Sequence, residues 1–126
     1  LGWWVDMDVT AVLAGYTSDA SADDLMALGD SIDAHVARVT EAAETRDFVD
    51  VGLARTIGAV LHTLVSESEQ YTARERALLA GAVKYFVEHN DVNNDLGSPT
   101  GLEDDALVLN AVCVYLGRND LRVAIG

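Results

Sequence analysis

Apolar residues recur at intervals of three and four along most of this chain, while strand signals are thin. In an α-helix that interval gathers the apolar side chains on one face, so the pattern calls for amphipathic helices packed on each other. The clearest stripe is Leu25, Leu28, Ile32, Val36 and Val39. It predicts one helix over 21–45, capped by Ser21, with Asp24 three positions on as a variant of the capping box. Gly29 costs about 1 kcal/mol relative to alanine without erasing the stripe.

The interval returns from Phe48 to Ser66, where Phe48, Leu53, Ile57, Val60, Leu61 and Leu64 face inward behind an Asp47 cap. The polar stretch Glu67 to Gln70 ends that helix, and Thr72-Ala73-Arg74-Glu75 is a capping box opening the next. The new helix carries Leu78, Leu79, Ala82, Val83, Phe86 and Val87, an apolar arc wide enough to require neighbours on several sides. A second box, Thr100-Gly101-Leu102-Glu103, opens a last long helix whose stretch Ala106 to Leu116 is almost wholly apolar, as a central helix would be. Val9 to Gly15, capped by Asp8, reads as a short first helix before the turn Tyr16-Thr17-Ser18-Asp19, and Leu121 to Ile125 as an extra turn or an extended arm. The expected fold is all-α: a small bundle of about four to five helices with an acidic loop between the last two.

At 126 residues, half of them apolar and 23% charged, the chain has the material for one core and no disorder signature. One proline and scattered glycines mark no linker, so a single domain over 1–126 is expected, with residues 1–7 disordered or a cloning remnant. Met7 offers another start, and residues 1–6 read equally as the end of a longer chain. The net charge of −13 argues against nucleic acid and anionic membranes, both of which recruit cations from a protein. Asp outnumbers Glu by 14 to 7 and Lys84 is the only lysine, which fits either a salt-rich cytoplasm or the codon bias of a high-GC genome. Cys113 alone makes no internal disulfide, so a reducing, cytoplasmic setting is expected. The longest apolar runs fall short of a membrane span.

The segment from Glu88 to Asp105 is the candidate for chemistry. Calcium and magnesium are held by several converging oxygens, and Asp91, Asn93, Asp95, Asp104 and Asp105 supply them here. Asp91, Asn93 and Asp95 alternate as the opening of a calcium loop does. The EF-hand pattern then fails: Leu96 stands where the glycine belongs, Gly97 comes one place late, and Glu103 falls at the thirteenth position. The competing reading is structural. Asp and Asn are turn formers, Pro99 sets the approach to the Thr100 cap, and Glu103, Asp104 and Asp105 sit where a helix dipole favours negative charge.

An apolar helix with an aromatic end (Ala82-Val83-Lys84-Tyr85-Phe86), an acidic turn (Asp91 to Asp95), Gly101-Leu102 and the run Glu103-Asp104-Asp105-Ala106 together resemble the YkvA-like domain of unknown function over residues 70–118. Where that family often has Ile-Pro between the loop aspartates this chain has Asn93-Asn94, with Pro99 displaced. The resemblance implies a helical hairpin around an acidic turn and carries over to Asp91, Asp95, Gly101, Asp104 and Asp105; the family has no agreed activity.

Elsewhere the chemistry-bearing residues are isolated. His35, His62 and His89 lack metal-ligand spacing and read as surface or interface histidines, His89 being favoured at a helix end. Cys113 reads as a small core residue, and Asn110 as a buried group needing a partner. Neither a GxSxG elbow nor a phosphate loop occurs. Trp3 and Trp4 either dock onto the bundle or meet a partner, and the 21–45 stripe could serve as a dimer seam. The expected function is a non-catalytic protein-interaction or regulatory module, alone or as a homo-oligomer. The alternative is a calcium- or magnesium-binding protein or metal-dependent hydrolase built on the acidic loop.

Overall fold

Ser21 and Asp24 exchange two bonds at the start of helix α1 (Ala22–Ala27): the Ser21 N–H donates to Asp24 Oδ2 at 3.0 Å, and the Asp24 N–H donates to Ser21 Oγ at 3.1 Å. The box is complete, and hydrogen bonding from Ser21, its backbone N–H first, holds the Asp24 carboxyl below its ordinary range. The computed structural model describes residues 11, 13–17, 19–44, 51–89 and 101–123, with the side chains of 88, 89 and 101–104 outside that description.

The single helix expected over 21–45 is two, α1 and α2 (Gly29–Ala43). Leu28 N–H turns back to the Leu25 carbonyl at 3.0 Å, a tightened turn, and Ile32 N–H resumes the α-pattern on Leu28 at 3.1 Å. Gly29, a weak helix former, stands at the break. The stripe survives it, because Leu25, Ile32, His35 and Val39 are all buried.

Helix α3 (Val51–Ser66) lies against α2. A Cβ placed on Gly58 would stand 2.9 Å from Val36 Cγ2 and 3.5 Å from Ile32 Cγ2, so only glycine permits this approach. Ile57, Leu61 and Leu64 are buried as expected, with Leu53 and Val60 packed beside them; Asp47 and Phe48 lie outside the described residues. A 3₁₀ turn (Ser68–Gln70) leads to α4 (Ala73–Lys84), opened by the expected box: Thr72 N–H donates to Glu75 Oε1 at 2.9 Å and Glu75 N–H to Thr72 Oγ1 at 3.2 Å. Arg76 ties this corner down by donating to the carbonyls of Ala20 and Tyr71.

Two expectations for the helices are corrected. Residues 13–16 form a turn, with Tyr16 N–H on the Leu13 carbonyl at 2.8 Å, so the first helix does not run to Gly15. That turn seats Thr17 on α4, where a Cβ on Gly81 would stand 2.9 Å from Thr17 Cγ2. The regular helix expected to continue through Val87 instead widens after Lys84 into a π-turn (Tyr85–His89). There Phe86 is buried edge-to-face on His35, and Tyr85 meets Tyr16 edge-on.

Helix α5 (Gly101–Tyr115) is the central one. Asp105, Ala106 and every residue from Val108 to Cys113 are buried, and α5 packs on both α3 and α4. It surfaces at Val114 and Tyr115. Gly117 at φ +76° then ends it: Arg118 N–H reaches back to the Cys113 carbonyl at 2.8 Å and Gly117 N–H to Val114 at 3.1 Å, a Schellman closure. A second 3₁₀ turn (Asn119–Leu121) returns the chain to α5, where Val123 is buried. The fold is an all-α bundle, and no strand occurs among the described residues.

Candidate functional site

Of the five residues chosen as a metal set, the structure describes the side chain of Asp105 alone. Asp91, Asn93 and Asp95 lie outside the described residues, as does the side chain of Asp104. Asp105 is the fifth residue of α5, and its side chain is buried. Among the described residues no group of three or more His, Cys, Asp or Glu side chains is placed to hold a metal.

The histidines separate into different environments. His35, expected at a surface or interface, is only 2% exposed, with its ring 4.7 Å from that of Phe86 at 81°. The stripe that buries Ile32 and Val39 also carries position 35 inward, which is the physical reason for the correction. Burial, reinforced by the nearby positive charge of Arg38, pushes its pKa down to about 4, so the imidazole is neutral near pH 7. Arg38 lies 3.5 Å from Nδ1, while Nε2 has no hydrogen-bond partner among the described residues. His62 is partly exposed and pairs with Asp33, Nε2 to Oδ1 at 2.7 Å. The side chain of His89 lies outside the described residues.

Cys113 is fully buried and unpaired, and burial pushes its thiol up to about 11. A thiol held protonated inside a core is not a nucleophile. The two most reactive side-chain types of the described interior are therefore both kept neutral by desolvation.

A cleft missed by sequence reasoning opens where three elements meet. Thr17 from the first turn, Arg74, Ala77 and Leu78 from α4, and Tyr115 from the end of α5 line a volume of about 370 Å³. Each wall is fixed for a local reason. Gly81 lets Thr17 sit on α4. The Thr72–Glu75 box fixes the first turn bearing Arg74. The Schellman closure ends α5 at Tyr115, and just beyond it Arg118 pairs with Asp120 at 3.0 Å and with Glu67, tying this end to the turn after α3. Arg118 holds the Glu67 and Asp120 carboxyls below their ordinary range.

Among the described residues, the one charged residue lining the cleft, Arg74, is basic in a strongly acidic chain. Arg74 has no hydrogen bond or ion pair among the described residues. Its neighbour Glu75 is turned back onto Thr72, and Arg76 is spent on two carbonyls. The signal in the sequence was the position itself. Arg74 is the second residue of a helix, where the dipole disfavours a cation by a few tenths of a kcal/mol or more, so its placement there is not explained by local helix preference. Val114 is 42% exposed and Tyr115 38%, so α5 ends in two large apolar residues at the surface.

Neither family models nor curated proteins nor solved structures give a match to this chain. No helix among the described residues is long and apolar enough to cross a membrane.

Proposed function

We propose that this chain is a small non-catalytic helical module that binds another protein through the cleft between the 13–17 turn, α4 and the end of α5. The observation that carries the reading is the cleft itself: about 370 Å³, with Ala77, Leu78 and Tyr115 among its lining residues, large enough to take one or two side chains of a partner. A protein partner is favoured over a second copy because two chains of charge −13 repel one another on approach. The neutral, buried states of His35 and Cys113 support a binding rather than a catalytic role. A cytoplasmic setting fits a chain whose one cysteine is reduced and buried. The YkvA-like resemblance over 70–118 rests on the sequence alone and stays part of this proposal.

The test is panning of a displayed random-peptide library on the chain, followed by binding of the selected peptides to Ala77→Trp, which fills the cleft, and to Tyr115→Ser, which removes its aromatic wall. Thermal melts confirm that both variants fold. Peptides that lose at least tenfold in affinity for both variants support the reading. Peptides that bind both variants as they bind the parent, or a library that yields no binder, overturn it.

A further inference from the structure

We infer that the cleft recognises a carboxylate set beside an apolar side chain, in a segment of a protein partner, with Arg74 as the residue that sets this specificity. The inference rests on the reading of the cleft as a protein-binding site.

The starting point is how the basic residues are used. Of the eight in the chain, Arg46 lies outside the described residues. Arg118 is paired with Glu67 and Asp120, Arg76 donates to Ala20 and Tyr71, Arg122 donates to the Asn119 carbonyl, and Arg38 lies against His35. Lys84 has an interaction of its own. Arg55 and Arg74 remain without a partner among the described residues, and Arg74 lines the cleft. In a chain carrying 21 acidic residues against 8 basic ones, an unpaired guanidinium at an apolar pocket is the exception to the surface around it.

The chemistry of the walls narrows the occupant. A guanidinium offers parallel donors that match the two oxygens of a carboxylate. Thr17 and Tyr115, which carry hydroxyls, also line the cleft, while Ala77 and Leu78 bring only apolar side chains. An apolar side chain on Leu78 and Tyr115 with a carboxylate toward Arg74 therefore satisfies every wall at once. The acidic surface beyond the cleft does not oppose this, because a partner segment with one local carboxylate and a neutral or basic flank meets negative charge only on its favourable side.

The experiment uses peptides selected on the full chain and measures their binding to the parent, Arg74→Gln, Arg74→Lys and Ala77→Trp. The expected result is a shared carboxylate, from Asp, Glu or the C-terminus, beside Leu or Phe. Arg74→Gln should weaken binding at least tenfold, and Arg74→Lys should lose part of that because a point charge replaces a bidentate fork. Amidating the peptide's carboxylate should cost as much as Arg74→Gln and add nothing on top of it, the mark of a direct pair. Peptides that depend on Ala77 but are indifferent to Arg74 and to amidation overturn the carboxylate inference and leave the protein-binding reading standing. Peptides indifferent to Ala77→Trp overturn both. Phenylacetate perturbing the amide resonances of Arg74 and Leu78 at micromolar concentration would identify a small-molecule site and overturn the assignment to a protein segment.

Discussion

The side-chain amide of Asn110 forms two hydrogen bonds with the backbone of Val123: Nδ2 donates to the Val123 carbonyl at 3.0 Å, and Oδ1 accepts from the Val123 N–H at 2.6 Å. Both residues are buried, so one polar side chain on the central helix satisfies the returning tail as a neighbouring strand would. Asn110→Ala removes both bonds and leaves a buried N–H and carbonyl without water. We expect a loss of about 2 to 4 kcal/mol in urea unfolding, from two desolvated backbone groups at roughly 1 to 3 kcal/mol each after partial relaxation. Asn110→Asp keeps the acceptor for the Val123 N–H but sets an oxygen in place of Nδ2 against the Val123 carbonyl, and should be at least as damaging.

His35 sets an acid limit. The unfolded chain takes up a proton at this residue near pH 6.5, whereas the folded imidazole, desolvated and near Arg38, holds out to about 4. Between these values the unfolded state binds more protons, so stability is complete above pH 6.5 and falls as the pH drops toward 4, by at most about 1.4 kcal/mol per pH unit. The depressed carboxyls of Asp24, Glu67 and Asp120 add their losses lower, as they protonate in the acid range. Denaturation midpoints should therefore decline between pH 6.5 and 4 in the parent and stay nearly flat there in His35→Gln, which carries no proton to gain.

Two glycines on facing helices should respond differently to the same methyl group. At Gly58 a Cβ would stand 2.9 Å from Val36 Cγ2 inside the α2–α3 contact, so Gly58→Ala should cost about 1 to 3 kcal/mol as the helices are pushed apart. Pairing it with Val36→Ala should recover part of that cost, read as a positive coupling in a double-mutant cycle. At Gly29 the nearest atom is His62 Cε1 at 3.3 Å, on a ring 41% exposed that can give way. The helix-propensity gain of up to about 1 kcal/mol then offsets the contact, and Gly29→Ala should fall within about 0.5 kcal/mol of the parent.

Most of the helical framework was legible because the signals were local. The boxes at Ser21 and Thr72, the break after Ser66 and the apolar run of α5 all depend on residues within one or two turns. What escaped depended on contacts across the chain. The break at Leu28 accompanies a glycine pressed toward His62, and the burial of His35 requires Phe86, 51 positions later. The π-turn has no periodicity of its own, since it adds one residue to a pattern that otherwise continues. The cleft was invisible because Thr17, Arg74 and Tyr115 converge only when three elements are assembled. Gly117 was legible in principle, as a glycine one place beyond an apolar run, and it is where the left-handed closure falls.

Cys113 offers a direct reading of opening of the core. With its thiol fully buried and its pKa pushed up to about 11, Ellman's reagent at pH 8 should label the native protein only through unfolding or opening around α5. Labelling should accelerate in Asn110→Ala by the factor expected from its loss of stability, about tenfold for each 1.4 kcal/mol, if the tail and the C-terminal half of α5 open together. Immediate stoichiometric labelling of the parent would contradict a buried thiol.

The acidic segment is expected to respond to calcium or magnesium only as a charged surface does. Asp105, the fifth residue of α5, is buried, and no group of three or more His, Cys, Asp or Glu side chains among the described residues is placed to hold a cation. Any added cation will also screen the self-repulsion of a chain of charge −13 and raise the melting temperature somewhat, so the comparison has to be made at equal ionic strength. Under that condition, melts in millimolar calcium, magnesium or EDTA should superimpose within about 1 °C. A site with a micromolar Kd would stabilise the folded state by about 4 kcal/mol at millimolar metal, since a ligand bound only by the native chain adds RT ln(1 + [L]/Kd). In a domain this small such a gain displaces the melt by more than 10 °C, and Asp91→Asn with Asp95→Asn would then abolish it.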